Sequence, residues 1–158
     1  MNKLYTIVLS FVLLIFINAC TDDEGNPITN PTDLVPSMSA TVNGEAWTAT
    51  GAPAAVDSAG FLYVTGYNND DSSSILIQIA NPEEKTYSFG DSTSDASAYY
   101  GGFSSGFNFA SSGSLEITKY NAGQLISGNF SFSTDSTFVG SAKTVTDGRM
   151  NNVVVVVK

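Results

Sequence analysis

The feature that most constrains this chain is a series of short alternating apolar and polar runs after residue 37. Met38–Val42 and Glu45–Ala49 both alternate, and Asn43-Gly44 lies between them. Asn-Gly in this position predicts a type I′ hairpin, because both turn positions need positive φ. Similar runs recur every 8 to 12 residues or so, and no segment keeps a helical period beyond one turn. We therefore predict one all-β domain over residues 38–158, an antiparallel β-sandwich or flattened barrel.

Individual runs predict the faces of several strands. Ile75, Ile77 and Ile79 share one face of one strand, and alternate residues of 126–132 share one face of another. We expect residues 106–110 and 114–120 to be separate strands with a turn between them. The Val153–Val157 run is apolar at every position, which predicts a mid-sheet strand covered on both faces, since an exposed strand of this kind would aggregate.

The N-terminus has the pattern of a bacterial lipoprotein signal peptide. Lys3 precedes an apolar stretch over residues 4–19, which is shorter than the roughly 20 residues that a spanning helix needs. The sequence Ile17-Asn18-Ala19-Cys20 resembles the lipobox, and Cys20 is the only cysteine. The resemblance implies cleavage after residue 19 and attachment of a diacylglycerol to Cys20. The alternatives are an uncleaved anchor and an ordinary signal peptide.

Residues 20–37 predict a flexible acidic tether, because proline and charge replace apolar periodicity. Asp22, Asp23 and Glu24 follow the lipidation site at once. This cluster resembles the lipoprotein export signal of Bacteroidetes and implies transfer to the cell surface. The alternative is that the acids only begin a solvated linker and that the domain stays on the periplasmic face of the outer membrane.

Composition disfavours several classes of function. The formal net charge is −9, so the surface repels phosphate backbones, and we expect no nucleic-acid partner. The chain has no histidine and one cysteine, which removes the commonest general base and any multi-cysteine metal site. We predict no catalytic residues, no cofactor and no metal.

Several blocks together resemble a known family. The blocks are residues 41–44 with Trp47, residues 86–90, residues 98–100, residues 115–120, residues 126–132 and residues 145–153. They look like small Bacteroidetes lipoproteins of uncharacterised function. The resemblance implies an envelope lipoprotein with an all-β domain, and it implies no catalytic residue.

The sequence disfavours two kinds of acidic site, a calcium site and a glycosidase site. Residues 91–95 begin like a calcium loop, but Ala96 and Gly102 replace the required glycine and glutamate. Residues 68–71 could supply oxygens, although Asn and Asp favour turns for backbone reasons. A glycosidase needs two opposed carboxyl groups, and the glutamates that could supply them are Glu45, Glu83, Glu84 and Glu116.

Aromatic residues are the candidates for a glycan-binding surface. Six of them either fill the core or form a stacking platform for sugars: Trp47, Tyr99, Tyr100, Phe103, Phe107 and Phe109. The core interpretation is the simpler one, and Tyr99 and Tyr100 are the best exception. Adjacent strand residues face opposite ways, so one of the two should face solvent.

Three short motifs resemble the Bacteroidetes O-glycosylation signal, with Ser58, Ser92 and Ser136 as acceptors in predicted loops. Taken together, the sequence predicts a non-enzymatic outer-membrane lipoprotein that serves as a binding or structural accessory. A carbohydrate-binding module is the alternative, and a hydrolase is the third. The sequence leaves the oligomeric state open.

Overall fold

The computed structural model describes residues 35–102, 106–136 and 140–158. All regular structure in these ranges is β-strand. Within them, no helix is long and apolar enough to cross a membrane. The strands are β1 (Ser37–Val42), β2 (Glu45–Thr48), β3 (Ala54–Ser58), β4 (Phe61–Asn68), β5 (Ser73–Ala80), β6 (Thr86–Phe89), β7 (Ala96–Gly102), β8 (Gly106–Asn121), β9 (Leu125–Thr134) and β10 (Thr144–Val157).

Seven strands close into a flattened barrel in the order β10-β3-β4-β5-β7-β8-β9, and β1, β2 and β6 extend it. Sheet A has the order β2-β1-β10-β9-β8-β6, and sheet B has the order β10-β3-β4-β5-β7-β8. The long strands β8 and β10 pass through both sheets. The all-β sandwich or flattened barrel predicted from the sequence is confirmed.

One pair departs from the predicted antiparallel arrangement, because β10 runs parallel to β3. No hairpin joins these two strands. The direction of β3 is set by its antiparallel pairing with β4, and the direction of β10 is set by its pairing with β9. They meet as parallel neighbours where the barrel closes.

The predicted hairpin between β1 and β2 is confirmed. Asn43 has φ 51° and Gly44 has φ 87°, the two positive values that a type I′ turn requires. The turn is also tied to sheet A, because Asn43 Oδ1 accepts a hydrogen bond of 2.8 Å from the backbone N–H of Thr144.

The barrel interior is filled by side chains from both sheets. Ile75, Ile77 and Ile79 are fully buried on the inner side of sheet B, as predicted. Alternate residues of β9 point inward from sheet A, and Phe130 and Phe132 are 3% and 2% exposed. The buried side chains of the two sheets pack together as one hydrophobic core.

The two strands predicted within residues 106–120 are one continuous strand. Ser112 and Gly113 pair with Ser133 and Phe132 of β9 where a turn was expected. A register shift between Ala110 and Ser112 and a φ of 135° at Gly113 absorb the irregularity. A β-bulge therefore replaces the turn, because β9 offers an unbroken line of backbone partners.

The valine run is mid-sheet but is not covered on both faces. Its first two residues pair with β9 and its last three pair with β3, so each residue of the run belongs to a strand pair. Val153 and Val155 are buried, whereas Val154 and Val156 are 52% and 50% exposed. The prediction of burial on both faces was wrong, since alternate residues point out of the barrel.

Candidate functional site

Tyr99 and Tyr100 lie on opposite sides of sheet B, as the alternation predicted. Tyr99 pairs with Leu76 and Phe109 in positions that face outward. Tyr100 pairs with Ile75 and Asn108 in positions that face inward, at the end of the barrel. Both tyrosines are partly exposed. The two residues therefore belong to two different surfaces.

The outward side of sheet B carries no charged side chain in its central rows. We call this surface the neutral face. It consists of two cross-strand rows and one flanking ring, defined by strand register. The residues are Val156, Val56, Tyr63, Gln78 and Ser97 in one row, Ala54, Thr65, Leu76, Tyr99 and Phe109 in the next, and Phe61 beside them.

Aromatic rings form two clusters on the neutral face. Tyr99 and Phe109 lie edge to face, with centroids 4.8 Å apart. Phe61 and Tyr63 lie 6.4 Å apart. Phe109 is 45% exposed and Phe61 is 40% exposed, so much of these rings is open to solvent. The interpretation of Phe109 as a core residue was wrong, because Phe109 occupies one of the outward-facing positions that alternate along β8.

The outward side of sheet A is different. One cross-strand row there contains Glu116, Asn129 and Arg149, and Asp147 lies nearby on β10. Asn129 Nδ2 donates a 3.2 Å hydrogen bond to Glu116 Oε2. Charged and polar groups thus occupy the outer side of sheet A, while the outer side of sheet B is neutral and aromatic.

A pocket of about 340 Å³ opens at the end of the barrel beside Tyr100. Its walls include Asp71, Ser73, Asn108 and Lys143. These residues come from the β4–β5 turn, from β5 and β8, and from the segment before β10. Asn108 lies beside Tyr100 because it is its cross-strand partner on β8. Lys143 could not be predicted from the sequence, because only closure of the barrel brings it to Tyr100.

A hydrogen-bonded chain orders one wall of this pocket. The indole N–H of Trp47 donates to Ser73 Oγ at 2.7 Å, and the Ser73 hydroxyl donates to Asp71 Oδ1 at 2.6 Å. Trp47 is a core residue, only 3% exposed. Its burial confirms the core interpretation for this ring.

The two loops that could supply calcium ligands use their side-chain oxygens to form turns. Asp91 Oδ1 accepts hydrogen bonds from the backbone N–H and the hydroxyl of Thr93, and the backbone bond, followed by the hydroxyl bond, lowers the pKa of Asp91. Asn68 Oδ1 accepts a hydrogen bond from the N–H of Asp70. Within the described ranges, no three His, Cys, Asp or Glu residues come together in a group that could hold a metal ion.

The candidate glutamates are dispersed. Glu45 lies at the barrel end near Tyr100. Glu83 and Glu84 lie beyond the opposite end of β5, where Glu83 pairs with Lys85 and Glu84 accepts a hydrogen bond from the N–H of Tyr120. Glu116 lies on the outer side of sheet A. The structure does not bring Glu45 together with the other three.

The remaining candidate residues have varied positions. Ser92 and Ser136 are exposed outside strands, whereas Ser58 is the last residue of β3 and is half-buried, so the loop prediction was wrong there. Hydrogen bonding to β4 places it in the sheet. The signal peptide, Cys20, the acidic cluster at residues 22–24 and Phe103 lie outside the described residues.

Residues 35–154 match the family described as Domain of unknown function (DUF6252). The chain belongs to the DUF6252 family. The matched range covers all ten strands except the last three residues of β10. No curated protein and no solved structure matches the chain. The function of this DUF6252 domain is therefore inferred from its own surfaces.

Those surfaces include two aromatic residues that were not predicted from the sequence. Phe61 and Tyr63 are on a strand that was predicted, but their outward direction was not recognised. The alternation in the sequence contained this information. Leu62 and Val64 alternate with Phe61 and Tyr63 along one strand, so one of the two pairs had to face outward.

Proposed function

We propose that this DUF6252 protein is a non-enzymatic, lipid-anchored envelope protein that binds glycans on its neutral face. The observation that carries the proposal is an exposed aromatic surface without charge on a chain whose net charge is −9. Exposed apolar patches on soluble domains mark interaction sites. This observation favours a binding accessory over a purely structural one.

The chemistry of the neutral face suits a sugar chain. The C–H groups on one side of a pyranose ring pack on the face of an aromatic ring, which carries a negative partial charge. Tyr99 with Phe109, and Phe61 with Tyr63, supply such rings. Gln78 lies beside Tyr63 on β5, and Thr65 lies two residues after Tyr63 on β4; both can hydrogen-bond to hydroxyl groups. Because no charged group is available there, the ligand class is an uncharged glycan.

The proposed location rests on the N-terminal sequence. A diacylglycerol on Cys20, with a further acyl chain, would hold the protein stably at the outer membrane. The acidic cluster of Asp22, Asp23 and Glu24 would direct it to the cell surface. The acidic domain would bind no nucleic acid, since it lacks a basic patch.

The binding proposal is tested with the full lipidated chain in detergent on an array of neutral, acidic and amino glycans. We expect neutral glycans to bind. Thr65→Asp places a charge in the centre of the neutral face and should weaken binding at least about tenfold. Thr146→Asp is the matched control, because Thr146 points outward from sheet A.

Two results would reject the proposal: no neutral glycan binds the folded protein, or Thr65→Asp and Thr146→Asp bind equally well. Circular dichroism of both variants establishes that they are folded. Loss of binding in the Thr65 variant alone supports the neutral face as the site.

The anchor is tested separately. Cys20→Ser should abolish incorporation of labelled fatty acid, and a labelled variant protein would contradict lipidation at this residue. Replacing residues 22–24 with alanine should remove protease accessibility on intact cells while lipidation persists. An equally accessible triple variant, or a parent protein that is never accessible, would rule out the export signal.

A further inference from the structure

The barrel end beside Tyr100 holds two adjoining pockets. The pocket of about 340 Å³ is joined by another of about 220 Å³, which reaches Glu45 and Trp47 on β2. Asp71, Tyr100 and Lys143 line both. A ligand that contacts these three residues can therefore extend into either pocket.

The carboxylate of Asp71 is held in place. Its Oδ1 accepts hydrogen bonds from the backbone N–H of Ser73 at 2.9 Å and from the Ser73 hydroxyl at 2.6 Å. The Trp47 indole in turn donates to that hydroxyl. Within the described part of the chain, Oδ2 of Asp71 has no hydrogen-bond partner, so it is available to an incoming donor.

Lys143 is fixed through its backbone. Its N–H donates to Thr134 Oγ1 at 2.9 Å, and its carbonyl oxygen accepts from the N–H of Thr134 at 2.8 Å. The side chain is half-buried. Among residues 35–102, 106–136 and 140–158, the ammonium of Lys143 forms no ion pair, and it lies more than 4.0 Å from the Asp71 carboxylate.

Opposite charges thus share the same pocket walls without neutralising each other. Asp71 is exposed and Lys143 is half-buried, so a ligand with one charge would pair with one of the two groups and leave the other to solvent. A ligand with both charges would pair with each through charge-assisted hydrogen bonds. Glu45 adds a second carboxylate beside the smaller pocket and favours the cationic end of the ligand there.

We propose that the joined pockets bind a small zwitterion with an ammonium and a carboxylate, namely an α-amino acid or a short peptide. Asp71 with Glu45 receives the ammonium, Lys143 receives the carboxylate, and the Tyr100 ring contacts the apolar part between them. This site lies at the barrel end and is separate from the neutral face, so it does not depend on glycan binding.

Trp47 fluorescence can report binding at this site, because Trp47 is the only tryptophan in the sequence and lines the smaller pocket. The full lipidated chain in detergent is titrated with the common α-amino acids and glycylglycine at micromolar to millimolar concentrations. Tryptophan fluorescence and isothermal titration calorimetry are both recorded. We expect a saturable response to at least one zwitterion, and its N-acetyl and C-amide derivatives should each bind about tenfold more weakly or worse.

Lys143→Gln tests the assignment of the carboxylate. This variant should bind the free acid and the C-amide with similar affinity, while it still discriminates against the N-acetyl form. Lys119→Gln, an exposed lysine on β8, is the matched control and should behave as the parent.

Three outcomes would overturn the proposal. The first is no saturable response to any zwitterion by either method. The second is equal binding of the free and blocked forms by the parent protein. The third is a neutral disaccharide such as maltose that saturates the fluorescence response while the zwitterions do not.

Discussion

The two sheets use aromatic residues in opposite ways. In sheet A the rings point inward, where Phe89 and Phe132 meet edge to face at 5.9 Å within the core. In sheet B most rings point outward, and the inner positions hold isoleucine, leucine, valine and alanine. The difference teaches that ring size alone does not identify a core residue. Whether a ring stabilises the fold or is available to a partner depends on whether its position on the strand faces inward or outward.

Packing explains why the rings of sheet A stay inside. Gly148 on β10 lies directly beneath the Phe130 ring, and a Cβ there would come within 2.3 Å of the ring carbons. Gly128 lies close to Met150 and to the backbone of Glu116. Sheet A thus makes room for inward rings by placing glycine beside them, whereas sheet B fills its inner side with aliphatic side chains.

The largest expected effect comes from removing one ring from each sheet. Phe132→Ala should destabilise the fold by about 3–5 kcal/mol, because it removes a fully buried ring and leaves a cavity. Phe109→Ala should cost only about 1 kcal/mol, because the ring is 45% exposed and its removal loses the contact with Tyr99 without opening an enclosed cavity. Chemical denaturation measures both. Similar losses for the two variants would contradict the contrast between the sheets.

Adding one methyl group inside sheet A should have the next largest effect. Gly148→Ala should destabilise by about 3 kcal/mol, because the new Cβ meets the Phe130 ring and also the Phe130 carbonyl oxygen at 2.5 Å. Gly51→Ala is the control, since its Cβ would meet nothing within 4 Å. Denaturation midpoints that fall equally for both variants would show that the close packing is not the cause.

A polar bond between the sheets should contribute less. Ser73→Ala removes the acceptor of the buried Trp47 N–H and should cost about 1–3 kcal/mol. Ser97→Ala, at an exposed position of β7, should cost almost nothing. Thermal unfolding followed by Trp47 fluorescence provides the measurement. An unchanged emission spectrum and melting temperature in the Ser73 variant would refute a role for this bond.

The smallest effect concerns the opposite end of the barrel, where Tyr120 of β8 donates a 3.1 Å hydrogen bond to Asp57 of β3. Burial, and then this bond, raises the pKa of the Tyr120 phenol. The unfolded chain therefore releases the proton first, near pH 10, and this contribution to stability is lost as the pH rises further. Tyr120→Phe should flatten the decline in stability above about pH 10. Parallel pH profiles for the parent and the Tyr120 variant would exclude this link.

The sequence predicted those features that depend on near neighbours along the chain. Asn43-Gly44 defined its hairpin, and the opposite directions of Tyr99 and Tyr100 followed from alternation. Features that depend on distant strands were not predictable. Lys143 is far from Tyr100 in sequence, and only barrel closure brings the two to one pocket. The parallel meeting of β3 and β10 was missed for the same reason.

The position of β10 has a consequence for how the domain acquires its structure. This strand follows all the others in the chain, yet it is the neighbour of β1, β3 and β9. Synthesis must therefore pass residue 144 before the first strand gains its second neighbour, across a separation of more than a hundred residues. Such non-local pairing is slow to form. The barrel consequently cannot close until β10 is available to pair with β3 and β9.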